Sequence, residues 1–230
     1  MKYHTVFFDA DQTLMDFEDA ERQALERTFT EHHMTLTENI RQLYMQINCS
    51  LWNDFEKALI TKEKLLTARF GQLFEKIGVT GLDPAEFNQR YLYNLGFGCK
   101  TLDGALELCR HLHQKGIRMY ILTNGVTDTQ RRRLAGSGLS PYISDIFVSE
   151  ETGFQKPLPE YFDYVFARIP DFDAKTTLMV GDSLTSDILG AYHVGLDSCW
   201  FNPSGKSRPD FPPVNYEIRR LEELKSILLL

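Results

Sequence analysis

Short, nearly continuous apolar runs are the feature that most constrains the fold of this chain. They occupy residues 5–8, 119–122, 146–148, 177–180 and 198–201. A strand exposed on one face alternates apolar and polar side chains, whereas a parallel strand covered on both faces is apolar almost throughout. Helical patterns flank the later runs, at residues 103–115, 128–137, 158–168, 186–193 and 220–229. This alternation predicts an α/β fold with a parallel sheet and right-handed crossovers.

The first two runs lie more than a hundred residues apart, although a strand–helix–strand unit needs only about thirty residues. A structureless loop of that length is implausible inside a compact domain. Apolar residues recur at three- and four-residue spacing in residues 19–31, 38–60, 62–76 and 84–95. We therefore predict an all-α domain at residues 16–97, inserted into a core made of residues 1–15 and 98–230.

Polar residues follow four of the predicted strands, at the edge of a parallel sheet where ligands bind. They are Asp9 and Asp11, then Thr123 and Asn124, then Lys156, and finally Asp182 and Asp187. Each group alone is a common turn or helix-capping signal. Their occurrence in order, each at the carboxyl end of its own strand, predicts one shared site.

The four groups resemble the motifs of the haloacid dehalogenase superfamily of phosphohydrolases. The matching stretches are residues 7–13, 122–125, 156–157 and 181–187. The resemblance implies a Rossmann-like parallel sheet core and identifies the inserted all-α domain as a cap. Residues 123–130 and 153–157 are similar, more narrowly, to the pyrimidine 5′-nucleotidase subgroup.

The resemblance implies a role for each motif residue. Asp9 attacks phosphorus and forms an aspartyl-phosphate, and Asp11 first protonates the leaving group and then activates water. The Thr123 hydroxyl and the Asn124 main-chain N–H bind phosphoryl oxygens. Lys156 offsets the charge of the phosphate and of Asp9.

A cluster of up to four carboxylates around a phosphate dianion requires added positive charge, and Lys156 supplies only one. Hard oxygen ligands favour one Mg²⁺ ion, and we expect Mn²⁺ to be able to replace it. Asp9 and Asp182 are the expected side-chain ligands, with the main-chain carbonyl of Asp11 as a third. Asp187 is expected either to bind the metal directly or to orient its ligands.

The function predicted is Mg²⁺-dependent hydrolysis of small phosphate monoesters, with pyrimidine nucleoside 5′-monophosphates as the expected substrates. A sugar-phosphate phosphatase and a phosphomutase remain open alternatives. A haloacid dehalogenase is disfavoured, because a halide leaves without the proton that Asp11 would supply. A phosphate-binding protein without turnover is the remaining alternative.

The charge and the cysteine content limit which partners and which cellular compartment are expected. With 25 Lys and Arg against 32 Asp and Glu, the formal net charge is −7, which argues against binding to a nucleic-acid polymer or an anionic membrane. The one basic run, residues 131–133, is interpreted as a solvated helix face. Four scattered cysteines without a Cys-x-x-Cys pair, and no signal-peptide pattern, predict a cytoplasmic protein with reduced, buried or half-buried thiols. The sequence leaves the oligomeric state open.

Overall fold

The computed structural model describes residues 2–208 and 210–228. The chain divides into two compact units. An α/β unit combines the residues up to Phe17 with those from Cys99 onward, and a helical unit spans Glu18–Gly98.

Within the described residues, six strands form one sheet: β1 Thr5–Phe8, β2 Arg118–Thr123, β3 Asp145–Val148, β4 Thr177–Gly181, β5 Asp197–Phe201 and β6 Tyr216–Ile218. The helices are α1 Phe17–Glu31, α2 Glu38–Glu56, α3 Lys62–Ile77, α4 Pro84–Leu95, α5 Ala105–Gln114, α6 Thr127–Gly136, α7 Ser149–Thr152, α8 Pro159–Phe166, α9 Leu189–His193 and α10 Leu224–Leu228. A π-helical turn at Leu184–Ile188 precedes α9, and short 3₁₀ turns occupy Ser140–Tyr142, Ala174–Thr176 and Leu221–Glu223. Among the described residues, no helix is long and apolar enough to cross a membrane.

The strand order is β3-β2-β1-β4-β5-β6, and every neighbouring pair is parallel. Alternate residues of β1 enter separate cores, since Val6 and Phe8 pack in one apolar cluster and Phe7 packs in another. Both faces of the strand are therefore covered, which explains why its sequence is apolar throughout. The predicted Rossmann-like parallel sheet is confirmed.

Several details differ from the sequence predictions. The helix predicted to reach residue 60 ends at Glu56, because Ala58 adopts a left-handed φ of 56° and the Leu59 N–H bonds back to the Asp54 carbonyl, as in a Schellman motif. Cys49 is exposed rather than buried or half-buried. The helix predicted over 220–229 is a 3₁₀ turn followed by α10, and its last predicted residue lies outside the described part of the chain.

The helical unit has polar N-cap residues at the starts of three helices and an aromatic core. The side chains of Thr37, Thr61 and Asp83 accept hydrogen bonds from main-chain N–H groups at the starts of α2, α3 and α4, which satisfies donors that the helix itself leaves open. Phe87 lies 4.8 Å from Phe70 between ring centroids and packs edge-on against other rings. Ring pairs in this geometry stabilise a core beyond their area.

Charged and amide side chains are buried within the same unit. Asn48 donates to the Glu21 carboxylate at 3.1 Å, and Arg69 Nε donates to Asn88 Oδ1 at 2.7 Å. The Arg69 guanidinium also stacks over the Tyr91 ring, 4.7 Å from its centroid. Burial raises the pKa of Glu21 to about 7, although the charge of Arg69 opposes the change.

This raised pKa predicts a pH-dependent stability of the helical unit. Between about pH 4.5 and 7, the folded state keeps a proton on Glu21 that the unfolded chain releases. The contribution of Glu21 to the free energy of unfolding is therefore complete below about pH 4.5 and is lost as the pH rises through about 7. At about 1.4 kcal/mol per pKa unit, the contribution is about 3 kcal/mol. Glu21→Gln should remove this dependence, because an amide does not titrate.

The measurement is urea unfolding between pH 5 and 8, followed by the fluorescence of Trp52 in a Trp200→Phe background, since Trp52 is the one tryptophan of this unit. Glu75→Gln, at an exposed site on α3, is the matched control. An unchanged slope of stability against pH in Glu21→Gln would contradict the assignment.

Candidate active site

The candidate site lies where the strand order changes direction. Strand β1 has β2 on one side and β4 on the other, so the crossovers leave it in opposite directions. In open parallel sheets, ligands bind in the crevice at this point, outside the carboxyl ends of the strands. Asp9 follows β1, Thr123 ends β2, and Asp182 follows β4.

Lys156 is at the centre of the site. Its ammonium donates to Asp9 Oδ1 at 2.7 Å, to Asp187 Oδ1 at 2.7 Å and to the Leu122 carbonyl at 2.6 Å. Only 1% of the residue is exposed. Burial lowers the pKa of Lys156, but the carboxylates of Asp187 and Asp9 outweigh this effect and hold it above its usual range. The lysine is therefore charged, and its ammonium is held by three acceptors.

The Asn124 side chain fixes the segment that carries Lys156. Its Nδ2 donates to the Lys156 carbonyl and its Oδ1 accepts from the Lys156 N–H, both at 2.9 Å. This two-way pairing resembles one step of a β-ladder and joins the end of β2 to the chain beyond β3. Only the main-chain N–H of Asn124 was expected to take part in the site, so this side-chain contact was not predicted.

Asp187 folds back onto the end of β4. The π-helical turn, which includes a bond from the Ile188 N–H to the Ser183 carbonyl, carries Asp187 above Gly181. A Cβ at Gly181 would lie 2.1 Å from Asp187 Oδ2, so only glycine leaves room for this carboxylate. Asp187 is fully buried, and its Oδ2 accepts a hydrogen bond from the Ser183 N–H at 3.1 Å. Wide helical turns of this kind are frequent at functional sites.

Three carboxylates converge around the lysine. Ligand oxygens of Asp9, Asp182 and Asp187 all lie within 4.8 Å of one another. Burial raises the pKa of Asp9 well above its usual range, against the opposing charge of Lys156. Burial, together with Asp187, raises the pKa of Asp182 to about 7. Burial is the main cause of both shifts, and the neighbouring carboxylates add to it; a cation bound here would favour the charged forms.

The side chain of Asp11 points to α6 instead. Its Oδ1 accepts from Arg133 Nη1 and its Oδ2 accepts from Gln130 Nε2 at 2.8 Å. The same Gln130 amide donates to Thr123 Oγ at 2.8 Å, so Asp11 and Thr123 share one partner.

This arrangement corrects the interpretation of residues 131–133 as a solvated face. Arg131 does lie at the surface, where it pairs with Glu151, but Arg133 is fully buried and reaches Asp11. Gln130 and Arg133 were missed because a polar residue on a helix is usually solvated. The sequence offers two signals. Gln130 ends the nucleotidase-like stretch 123–130, and the three-residue spacing of Gln130 and Arg133 places both on one face of α6.

The fold is that of a Rossmann-like α/β protein, and its aspartates cluster at the carboxyl ends of the strands. A family model described as haloacid dehalogenase-like hydrolase matches residues 3–195. The chain belongs to this family and is a hydrolase, so the resemblance seen in the four motifs is confirmed.

Three relatives are similar over nearly the whole chain. YfnB of Bacillus subtilis (strain 168), which carries the name HAD-hydrolase, is 46% identical over 99% of this chain and 96% of its own. Its magnesium-bound crystal structure gives a TM-score of 0.94, at 45% identity and 100% coverage of both chains. The pyrimidine 5′-nucleotidases PynA of Streptococcus pneumoniae (strain ATCC BAA-255 / R6) and YjjG of Escherichia coli (strain K12) are 36% and 33% identical, each over 99% of this chain and over 96% and 99% of their own.

The close approach of the Asp187 carboxylate to Gly181 leads to a testable prediction. In Gly181→Ala, the new methyl group must displace the Asp187 carboxylate, and overpacking of this kind costs about 1–3 kcal/mol. Gly71→Ala is the control, because its Cβ would lie 4.0 Å from Pro84 in ordinary contact and the change should stabilise α3 by about 0.5–1 kcal/mol.

Urea unfolding should show these opposite signs. It would be followed at Trp200 in a Trp52→Phe background for Gly181→Ala, and at Trp52 in a Trp200→Phe background for Gly71→Ala. A Gly181→Ala protein as stable as its parent would mean that Asp187 is not held against β4.

Proposed function

We propose that the protein is a Mg²⁺-dependent phosphatase that hydrolyses small phosphate monoesters through an aspartyl-phosphate on Asp9, and that it prefers pyrimidine nucleoside 5′-monophosphates. The observation that carries the phosphatase proposal is the cluster of Asp9, Asp182 and Asp187 around Lys156, with Asp11 two residues after Asp9. The substrate preference is supported by the nucleotidase names of PynA and YjjG.

The donor set fits a magnesium ion. All three clustered side chains offer hard carboxylate oxygens, which suit Mg²⁺ and do not suit softer metals. Asp9 and Asp182 are the proposed direct ligands, together with the Asp11 carbonyl. Both oxygens of Asp187 already accept hydrogen bonds, from Lys156 and from the Ser183 N–H, which favours an orienting role for this residue. When bound, the ion offsets the charge between the carboxylates and a phosphate dianion.

The chain's own residues supply the rest of the chemistry. As a bond forms between an oxygen of Asp9 and phosphorus, the bond from phosphorus to the leaving oxygen breaks, and a proton on Asp11 passes to that oxygen. Asp11 then takes a proton from the water that hydrolyses the aspartyl-phosphate, which regenerates Asp9 and releases inorganic phosphate. The Thr123 hydroxyl and the Asn124 N–H bind phosphoryl oxygens, and Lys156 stabilises the negative charge of the transition state.

Removal of divalent cations should abolish turnover. The buried carboxylates repel the phosphate dianion, and Lys156 alone cannot balance them. Activity should disappear after treatment with EDTA and dialysis, and Mg²⁺ should restore it. Asp182→Asn should require more Mg²⁺ for half-maximal activity, whereas Asp210→Asn, at an exposed loop site, should not. Full activity in excess EDTA would rule out the metal requirement.

A substrate panel tests the function itself. We expect kcat/KM for dUMP, dTMP and UMP to exceed that for purine nucleotides and for hexose and triose phosphates, with release of inorganic phosphate. Asp9→Asn is the matched blank, since it keeps the shape of the side chain and lacks the nucleophilic carboxylate. Faster turnover of sugar phosphates would leave a phosphatase of different specificity, and transfer to a second hydroxyl without phosphate release would indicate a phosphomutase.

A further inference from the structure

Two buried polar side chains of α6 take no direct part in the proposed chemistry. Gln130 is 2% exposed and Arg133 is fully buried. They lie three residues apart on one helix face, and Arg133 Nη1 donates to Gln130 Oε1 at 3.0 Å. Burying an amide and a guanidinium is costly unless they form specific hydrogen bonds, so their contacts show what they hold in place.

The first contact is with the carboxylate of Asp11. Arg133 Nη1 binds one oxygen and Gln130 Nε2 binds the other at 2.8 Å. Two donors on the two oxygens restrict both the position and the rotation of the carboxylate. Asp11 is partly exposed, with 29% of its side chain accessible, so without these donors it would be free to turn.

The second contact is with the hydroxyl of Thr123. Its Oγ accepts from Gln130 Nε2 at 2.8 Å and from the Gly125 N–H at 3.0 Å. A hydroxyl has two lone pairs and one hydrogen. Because both lone pairs are used, the hydrogen is left to donate, and the proposed phosphoryl oxygen is the acceptor it fits.

We propose that Gln130 and Arg133 are positioning residues for phosphoryl transfer. Together they hold the Asp11 carboxyl group in place, each using one lone pair of one oxygen and leaving a second lone pair for the proton that passes to the leaving oxygen. Gln130 also makes Thr123 an obligatory donor to phosphate. This inference rests on the proposed phosphatase function. Neither residue touches the substrate in this scheme, because each acts through Asp11 or Thr123.

The test is the dependence of kcat/KM on the leaving group, measured with a series of aryl phosphates from p-nitrophenyl to phenyl phosphate. The kcat/KM value reports the step in which the phenol leaves. Nitrophenoxide departs without a proton, whereas phenoxide needs the acid. Loss of a positioned acid therefore steepens the plot of log kcat/KM against leaving-group pKa, and general damage to the fold only lowers it.

Arg133→Met should lower kcat/KM for phenyl phosphate by about tenfold or more, since general acid–base catalysis is worth 10²–10⁴-fold, and should affect p-nitrophenyl phosphate much less. Asp11→Asn gives the steep limit expected without an acid. Arg131→Met is the matched control on the same helix, because its guanidinium pairs with Glu151 at the surface, and its plot should match that of the wild type.

The Thr123 contact has its own measurement. Gln130→Met should steepen the same plot and should also weaken competitive inhibition by inorganic phosphate about tenfold, the usual effect of losing a hydrogen bond to a charged group. Arg133→Met should weaken phosphate inhibition less than Gln130→Met does, because Gln130 is the residue that donates to Thr123. Circular dichroism establishes that each variant is folded, and if Arg133→Met does not fold, Gln130→Met carries both measurements.

Equal losses across the aryl series in the folded variants would overturn the role at Asp11, and unchanged phosphate inhibition in Gln130→Met would overturn the role at Thr123. Turnover of the series by the wild-type protein separates these results from the proposed function. If the wild type hydrolyses no phosphate monoester, the phosphatase proposal itself fails.

Discussion

The buried ammonium of Lys156 is the interaction on which the site depends. Its three hydrogens bind Asp9, Asp187 and the Leu122 carbonyl, so every donor has a partner although the group is hidden from water. Removing one partner from such a buried ion pair strongly destabilises the fold, because it leaves the other charge buried and uncompensated. The lysine therefore fixes the positions of two carboxylates that would otherwise repel each other, and it fixes them relative to the end of β2.

The parallel sheet supplies the frame for this interaction. Strands β1, β2 and β4 are adjacent and covered on both faces by apolar clusters. Residues that follow these strands must emerge at one edge, because parallel strands point the same way. The close packing of such a core resists movement, so short polar side chains can be held within hydrogen-bond distance of one another.

Strand direction also determines how much of the structure can be predicted from the sequence. Apolar runs located the strands, and the order of polar groups after them located Asp9, Thr123 and Asp182, because parallel strands bring their carboxyl ends together. The sequence order also indicated Lys156, but its place in the site depends on the pairing of its main chain with Asn124. The positions of Gln130 and Arg133 depend on how α6 packs beside β2, which no local pattern reveals. The π-helical turn before α9 was also not predicted, since one extra residue in a turn leaves the apolar spacing almost unchanged.

Each residue of the Thr-Asn-Gly sequence at the end of β2 has its own structural role, although the sequence is common in turns. Thr123 accepts the amide of Gln130, and Asn124 pairs with the main chain of Lys156. A Cβ at Gly125 would lie 2.6 Å from Gln130 Cγ, so the glycine provides the space in which α6 approaches. The three residues thus connect β2 to two separate segments of the chain, and any other side chain at the third position would push Gln130 away from both Thr123 and Asp11.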